Sequence, residues 1–138
     1  MALTHLLDTN TCIYIINRRP PHVAEKFAEF PPDAIGLSAI TLAKLRYGVE
    51  KSGSKQNAEV LEAFIAPLEI VAFEADTTLT YARIRSDLEN KGTPIGAIDL
   101  LIAAHALSLD LTLATPNRKE FDRVGGLKVE NWFVSENQ

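Results

Sequence analysis

Apolar residues in this chain occur in short runs of strand length, separated by longer segments of helical spacing. The short runs cover residues 3–7, 34–37, 68–73, 111–114 and 127–132. In the segments between them the apolar residues recur every three to four positions, which predicts amphipathic helices. Strands that alternate with helices are typical of parallel pairing. The sequence therefore predicts an α/β fold, a three-layer α/β/α domain around a central, mainly parallel five-stranded sheet.

Helix boundaries are predicted from proline, serine and glycine residues. Pro21 is suited to the first position of a helix, and Ser38 and Ser54 are suited to N-caps. Gly92 is suited to close a long helix. The most apolar helix, which should lie in the core, is expected directly after Gly96. The predicted helices contain residues 12–16, 21–30, 39–51, 55–66, 74–90 and 97–109, with a short one ending at Phe121.

Composition limits the kind of protein that this sequence can encode. The chain has 138 residues, of which 46% are hydrophobic and 23% charged, which predicts one globular domain over residues 1–138. The net charge of −4 argues against a large basic surface for nucleic acid, although a local one is compatible with it. The single cysteine, Cys12, predicts a reducing, cytoplasmic location. Neither a signal peptide nor a membrane span is expected, because no apolar run is long enough.

Three carboxylates are predicted to meet at one edge of the sheet. Asp8 ends the first strand, Asp99 lies in the first turn of the most apolar helix, and Glu120 follows the fourth strand by a few residues. Helix capping by Asp8 and compensation of the helix dipole by Asp99 are alternative interpretations. Carboxylates that converge without a cysteine or histidine cluster favour a hard divalent ion, Mg²⁺ or Mn²⁺.

Other catalytic motifs fail on spacing or context. The chain has no G-x-G-x-x-G and no G-x-S-x-G sequence. Residues 48–55 have the glycine spacing of a phosphate-binding loop, but they end in Ser-Lys and follow a predicted helix rather than a strand. The histidines His5, His22 and His105 are isolated, which favours structural or surface positions.

Four segments of the chain stand out: LLDTN around Asp8, SAITLAKLRYG from Ser38 to Gly48, PIGAIDLLIAAH around Asp99, and TPNRKEF from Thr115 to Phe121. They occur in the order and at the separations seen in PIN-domain proteins, and the chain resembles that family over essentially its whole length. The ending GGLKVENW is similar to that of the VapC toxins of bacterial toxin–antitoxin pairs in particular.

The resemblance implies a Mg²⁺-dependent endoribonuclease that cuts tRNA or ribosomal RNA. It also implies a homodimer, in some cases within a larger assembly, that a VapB-type antitoxin keeps silent. By this resemblance Asp8 and Asp99 are the principal metal ligands, and Glu120 is an outer or second-metal ligand. The supporting or phosphate-binding residues that it implies are Thr9, Ser38, Thr115 and Asn117.

The chain departs from the family pattern at Lys44, where the family has a glutamate in its catalytic set. Glu50 lies six residues on, about 600° around the helix, and does not share that face. Unit charges about 4 Å apart interact by roughly 4 kcal/mol at an effective dielectric near 20, so an ammonium here should weaken metal binding sharply. Lys44 then acts either as a built-in counter-ion for the acids or as a solvent-facing residue. Pro116 is a smaller departure, which leaves Asn117 in place.

Three hypotheses follow from these residues. The first is a VapC-type ribonuclease toxin impaired at Lys44, and the second is a non-catalytic PIN domain that binds antitoxin or RNA. The third, a phosphohydrolase with Asp8 as nucleophile, ranks last because Asn10 stands where a second Asp is usual. Residues 12–16 and the helix bearing Leu42, Leu45 and Tyr47 are the expected partner contacts.

Overall fold

The computed structural model describes residues 3–133, and its centre is a five-stranded sheet. Every pairing in the sheet is parallel, and the strand order is β3-β2-β1-β4-β5. This arrangement confirms the predicted parallel α/β fold. The strands are β1 (His5–Leu7), β2 (Ile35–Ser38), β3 (Glu69–Val71), β4 (Thr112–Ala114) and β5 (Val129–Glu130).

Helices follow each of the first four strands, as parallel crossovers require. Pro21 opens its helix, as predicted, because its fixed φ suits the first helical position. Gly53, with φ +65°, ends the third helix in the left-handed conformation that glycine adopts without strain. The helices are α1 (Thr9–Asn17), α2 (Pro21–Ala28), α3 (Ala39–Ser52), α4 (Lys55–Ile65), α5 (Thr77–Asn90), α6 (Ala97–Ser108) and α7 (Arg118–Phe121).

The sheet separates two apolar layers. Leu6 and Leu7 are both fully buried, and because neighbouring strand residues point to opposite faces they belong to different layers. Leu7 packs with residues of α1 to α4, whereas Leu6 packs with residues of α5, α6 and α7. This is the predicted three-layer α/β/α arrangement.

Several predicted boundaries were too generous. The strand predicted at residues 68–73 ends at Val71, and the one predicted at 127–132 contains only Val129 and Glu130. Both are edge strands with a neighbour on one side only, so a ladder forms only where that neighbour lies alongside. The helix predicted from residue 74 begins at Thr77, because a turn occupies residues 75 and 76.

Helix α6 is core-facing over most of its length, but its first turn is not. Leu100 and five of the residues that follow it are buried, whereas Ala97 and Ile98 are exposed. The expectation that Asp99 lies on a wholly buried turn was therefore wrong, since the turn opens at the edge of the sheet. Within residues 3–133, no helix combines the length and the apolar character needed to cross a bilayer.

Candidate functional site

Asp8 is the buried centre of the carboxyl edge of the sheet. It is 4% exposed and lies between the end of β1 and the start of α1. The Thr9 backbone N–H donates to its Oδ1 at 2.7 Å, which caps α1, and the Thr115 hydroxyl donates to its Oδ2 at 2.7 Å. Asp8 is thus the helix cap that one interpretation anticipated, and it also faces the end of β4. Both carboxylate oxygens are held in fixed directions.

The segment after β4 extends this hydrogen-bonded system toward Glu120. The Thr115 hydroxyl accepts the Asn117 backbone N–H at 3.0 Å while it donates to Asp8. The Asn117 side-chain amide donates to Glu120 Oε2 at 3.3 Å. Thr115 is fully buried, so this path is rigid where it meets the sheet. Asn117 thereby links the predicted outer acid to the central one.

Asp99 reaches the same edge from the first turn of α6. Partial burial, a hydrogen bond with the Glu120 carboxyl and the negative charges of Asp8 and Glu120 raise the pKa of Asp99 to about 6. The Lys44 ammonium opposes this rise. The pKa of one carboxyl thus responds to all three other predicted catalytic side chains. The fold therefore brings the four groups into one electrostatic neighbourhood.

Lys44 lies on the exposed side of α3. Its ammonium forms no ion pair with any carboxylate among residues 3–133. Its charge nevertheless lowers the pKa of Asp99. The sequence left open a counter-ion or a solvent-facing residue, and the structure shows an intermediate case: Lys44 acts on the acids through its field, without direct contact.

The donor set of this edge suits a divalent cation in chemistry. Asp8, Asp99 and Glu120 supply carboxylate oxygens, which hard ions prefer. Their mutual repulsion, visible in the raised pKa of Asp99, is relieved when a cation binds. In the described part of the chain, no three acidic, histidine or cysteine side chains form a ready metal-binding cluster. Small side-chain movements would be needed to bring three carboxylates onto one ion.

The remaining predicted supporting residues, Ser38 and Thr9, have different surroundings. Ser38 is fully buried; its hydroxyl accepts the Ile40 backbone N–H and also bonds His105 Nδ1 at 2.8 Å. Thr9 is 9% exposed, and its hydroxyl has no hydrogen-bond partner among the described residues. Ser38 therefore links the start of α3 to α6 beneath the edge, whereas the Thr9 hydroxyl is buried without a partner among the described residues.

A second surface adjoins the acids and was only partly foreseen. A groove of about 250 Å³ lies between α1, α3 and α4. Of the expected partner contacts, Ile13, Ile16 and Leu45 line it, but Cys12 and Leu42 are core residues, which corrects that part of the prediction. The contribution of α4 was missed, because its apolar spacing was used only to predict a helix. The lining residues are Thr9, Ile13, Ile16, Asn17, Lys44, Leu45, Gly48, Val49, Asn57, Val60 and Leu61.

The sequence of this chain is similar to those of known proteins over nearly its whole length. The PIN domain family model matches residues 5–127. Ribonuclease VapC2 of Rickettsia felis is 44% identical over 132 residues, which cover 94% of this chain and 98% of that protein. The tRNA(fMet)-specific endonuclease VapC of Salmonella typhimurium is 40% identical over 131 residues, with the same coverage of each chain.

Among solved structures, VapBC2 from Rickettsia felis bound to a DNA fragment from its promoter superposes with a TM-score of 0.86 at 43% identity. The match covers 94% of this chain and 99% of that one. Sequence and fold thus agree over nearly the full length of both proteins. The chain belongs to the PIN-domain family and, within it, to the VapC ribonucleases.

Proposed function

We propose that this protein is the toxin of a type II toxin–antitoxin pair, a Mg²⁺-dependent endoribonuclease whose activity Lys44 reduces. The observation that carries the proposal is the hydrogen-bonded path that runs from Asp8 through Thr115 and Asn117 to Glu120 at the carboxyl edge of the sheet. Family membership supports the nuclease assignment, since relatives of known name are ribonucleases. Mn²⁺ is a plausible substitute because it accepts the same oxygen ligands.

In this proposal the carboxylates of Asp8, Asp99 and Glu120 bind the metal, and neighbouring polar groups orient these carboxylates by hydrogen bonds. A bound divalent ion would supply Lewis-acid activation of water and charge stabilisation at the scissile phosphate. Thr115 and the Thr9 backbone N–H fix the two oxygens of Asp8, which keeps its carboxylate aimed at the edge. Asn117 orients Glu120, and Glu120 in turn contacts Asp99.

Lys44 weakens this arrangement because it already supplies a positive charge to the acids. A divalent ion bound near Asp99 would be repelled by the ammonium, where a glutamate would attract it. At about 4 Å and an effective dielectric near 20, each unit charge contributes roughly 4 kcal/mol, although exposure of Lys44 screens part of this. We therefore expect weak metal binding and slow RNA cleavage.

The proposed substrate is a structured RNA, tRNA or ribosomal RNA. The Salmonella typhimurium relative is named as specific for tRNA(fMet), which supports a tRNA as the first substrate to test. The charge distribution is compatible with a local phosphate contact at the edge, where Lys44 and Lys119 are both exposed. A large basic face is not required for cleavage at a single site.

The proposed partner is a VapB-type antitoxin, bound along the groove. The groove lies beside the acid edge, by which we mean the carboxyl edge of the sheet with Asp8, Asp99 and Glu120. Solved relatives are VapBC complexes, and the groove exposes apolar side chains, Ile13 and Val60 among them. We also propose that the toxin is a homodimer, in some states within a larger toxin–antitoxin assembly. Light scattering of the isolated protein at micromolar concentration tests the dimer, and a monomer alone would contradict it.

A ribonuclease assay on tRNA with Mg²⁺ tests the catalytic half of the proposal. We expect slow cleavage by the natural chain and much faster cleavage by Lys44→Glu, abolished in both by EDTA. Lys44→Gln is the matched control, because it removes the positive charge without adding a carboxylate. Asp8→Asn in the Lys44→Glu background should be inactive, since Asn keeps the helix cap but loses the charge. Equal rates for the natural chain and Lys44→Glu would contradict the proposed effect of Lys44.

A second candidate function, a non-catalytic antitoxin-binding module, is favoured by the same residue. Lys44 reduces the negative charge of the acid edge, while the apolar lining of the groove does not depend on that charge. Under this alternative the natural chain would bind antitoxin at full strength and cleave no RNA at any Mg²⁺ concentration. Any Mg²⁺-dependent cleavage by the natural chain, lost in Asp8→Asn, would exclude it.

A further inference from the structure

A second cavity, of about 150 Å³, lies between α5 and the connection of residues 93–96 that leads into α6. Its floor is apolar, because it is lined by Leu88 and Leu100, which are 1% and 5% exposed. Tyr81, Arg85 and Glu89 of α5 supply its polar rim. Pockets for drug-sized ligands measure roughly 300–1,000 Å³. This smaller cavity, with an apolar floor and a polar rim, suits a single flat ring system.

Hydrogen bonds within the rim orient Arg85. Its Nε donates to Glu89 Oε2 at 3.0 Å, and its Nη1 donates to the Tyr81 hydroxyl at 3.1 Å. Among residues 3–133, Arg85 Nη2 and Glu89 Oε1 have no hydrogen-bond partner. The Tyr81 hydroxyl, which accepts a hydrogen bond from Arg85, still has its own proton to donate. The rim therefore offers two donors beside a carboxylate acceptor.

This pattern of donors and acceptor fits guanine better than the other bases. Guanine presents N7 and O6 as adjacent acceptors, and contact with arginine is the commonest specific contact that it makes. Its N1–H and N2 amine lie beyond O6 and can donate to the Glu89 carboxylate. Adenine has an amine in place of O6, which would place a donor against the donors of Arg85 and Tyr81. Stacking on an aromatic ring tolerates any base, so these hydrogen bonds decide which base is preferred.

The cavity lies next to the acid edge, on another side of the first turn of α6. Ala97 and Leu100 of this turn line the cavity, whereas Asp99 lies about 200° around the helix from Ala97. A Cβ on Gly96 would lie 3.6 Å from Asp99 Oδ2, so the connection that borders the cavity also touches the acid edge. A helix is about 10–12 Å wide, and successive nucleotides of a duplex strand rise about 3.4 Å. An RNA strand with one phosphate at the acid edge thus reaches the cavity within about three nucleotides.

We propose that the cavity between α5 and residues 93–96 binds a guanine base of a single-stranded RNA segment, close to the phosphate at the acid edge. Arg85 and Tyr81 donate to guanine O6 and N7, and Glu89 accepts from its N1–H and N2 amine. An unpaired nucleotide presents these groups, so the segment belongs to a loop rather than to a helical stem. The inference rests on the ribonuclease half of the proposed function and adds the base by which the RNA is selected.

NMR titration of the natural full-length chain with GMP, AMP and IMP, with EDTA present, tests the site. The three nucleotides carry the same phosphate and differ only in the base. GMP should shift the backbone amide signals of residues 95–97 and bind at least about tenfold more tightly than AMP. IMP lacks the N2 amine and should have an intermediate affinity. The proposal is overturned if these signals do not shift at about 10 mM GMP or if AMP binds equally well.

Substitutions on α5 identify the side chains that bind the base. Arg85→Lys keeps the charge but loses the planar fork, so GMP should bind about tenfold more weakly, with the Tm changed by no more than about 2 °C. Glu89→Gln should reduce the preference for GMP over AMP at least about threefold, because a neutral amide is a weaker acceptor than a carboxylate. Arg83→Lys is the matched control, since Arg83 is exposed on the same helix and lies outside the cavity lining. It should leave the Kd of GMP unchanged within twofold, whereas an unchanged Kd in Arg85→Lys would contradict the proposal.

Two pentanucleotide RNAs distinguish a site for RNA from a site for a free nucleotide. Both contain uridine at every position except the central one, which is guanosine in the first and adenosine in the second. The guanosine RNA should bind at least about tenfold more tightly. Equal affinities of the two RNAs, with GMP binding retained, would assign the cavity to a free nucleotide and overturn the proposal. None of these measurements uses metal or cleavage, so tRNA cleavage without GMP binding would reject this inference alone, and GMP binding without cleavage would reject the catalytic proposal alone.

Discussion

The acid edge and the groove adjoin at Thr9 and Lys44, yet they are built on opposite principles. At the acid edge, polar groups are buried and paired within the chain: Asp8 is 4% exposed, and both of its oxygens accept hydrogen bonds. In the groove, apolar groups are exposed and unpaired, with Ile13 and Val60 at 40% and 41% exposure. The first region pairs its polar groups within the folded chain, whereas the second leaves apolar side chains exposed.

This difference separates the expected effects of mutation. A substitution at the acid edge removes an intramolecular hydrogen bond or changes a charge beside other charges, so it alters folding stability or metal binding. A substitution of an exposed groove residue such as Ile13 or Val60 removes surface that the chain leaves accessible, so it should alter association and leave folding nearly unchanged. The predictions below test that separation, from the largest expected effect to the smallest.

The largest effect is expected at Lys44, the point where the two regions meet. Lys44→Glu should strengthen Mg²⁺ binding by at least about 100-fold, because it replaces a repulsive charge by an attractive one beside the acids. The affinity of Lys44→Gln for Mg²⁺ should lie between the affinities of the natural chain and of Lys44→Glu. Isothermal titration calorimetry measures all three proteins under the same buffer conditions. Equally tight binding by the natural chain would show that the Lys44 ammonium does not act on the metal site.

Thr115→Val tests how much the hydrogen bonds of the Thr115 hydroxyl at the acid edge contribute to folding stability. The substitution preserves shape but leaves Asp8 Oδ2 and the Asn117 backbone N–H without their partner. We expect a loss of about 2 kcal/mol in the free energy of unfolding, measured by urea denaturation. Thr115→Ser retains the hydroxyl and should recover most of this loss. Full stability of the Val variant would mean that water replaces the hydroxyl without cost.

The buried hydrogen bond between Ser38 and His105 should make the free energy of unfolding decrease in acid. Burial lowers the pKa of His105, whose ring bonds the Ser38 hydroxyl and the Ala72 carbonyl, with Glu74 the nearby charge and Phe73 against the ring. Above about pH 6.5 the imidazole is neutral in both states. As the pH falls below that value, the unfolded chain binds a proton that the folded chain resists.

The free energy of unfolding should therefore decrease below pH 6.5, by up to about 1.4 kcal/mol per pH unit from this group alone. Urea titrations of the natural chain and of His105→Gln, compared at pH 8 and pH 5.5, isolate the contribution. A variant with the same pH dependence as the natural chain would assign the acid sensitivity to other groups.

The smallest effect on folding is expected in the groove. Val60→Ser removes apolar surface that is already 41% exposed, so the free energy of unfolding should change by no more than about 0.5 kcal/mol. Affinity for the proposed VapB-type antitoxin should nevertheless fall about tenfold, as at a central interface residue. Leu61→Ser is the contrasting variant, since Leu61 is 3% exposed and its loss should destabilise the fold. Similar destabilisation by both variants would show that the exposed Val60 supports the fold as much as the buried Leu61 does.

The sequence alone determined the fold and the approximate position of the acids. Apolar periodicity is a local property, and strands alternating with helices leave the parallel three-layer arrangement as the stable solution. In such a sheet the strand ends converge, so Asp8 and Glu120 were predicted at one edge, and the structure links them through hydrogen bonds of Thr115 and Asn117. The family motif identified Lys44 as the unusual residue without any coordinates.

The tertiary structure alone decided which side chains are buried in the core and which remain exposed in the groove. Cys12 and Ile13 are adjacent, yet one is core and the other groove, because the helices packed around α1 bury only part of its surface. The bond between Ser38 and His105 joins residues 67 positions apart. The groove between α1, α3 and α4 exists only once these helices have packed. These features depend on contacts between distant segments, and local periodicity carries no information about such contacts.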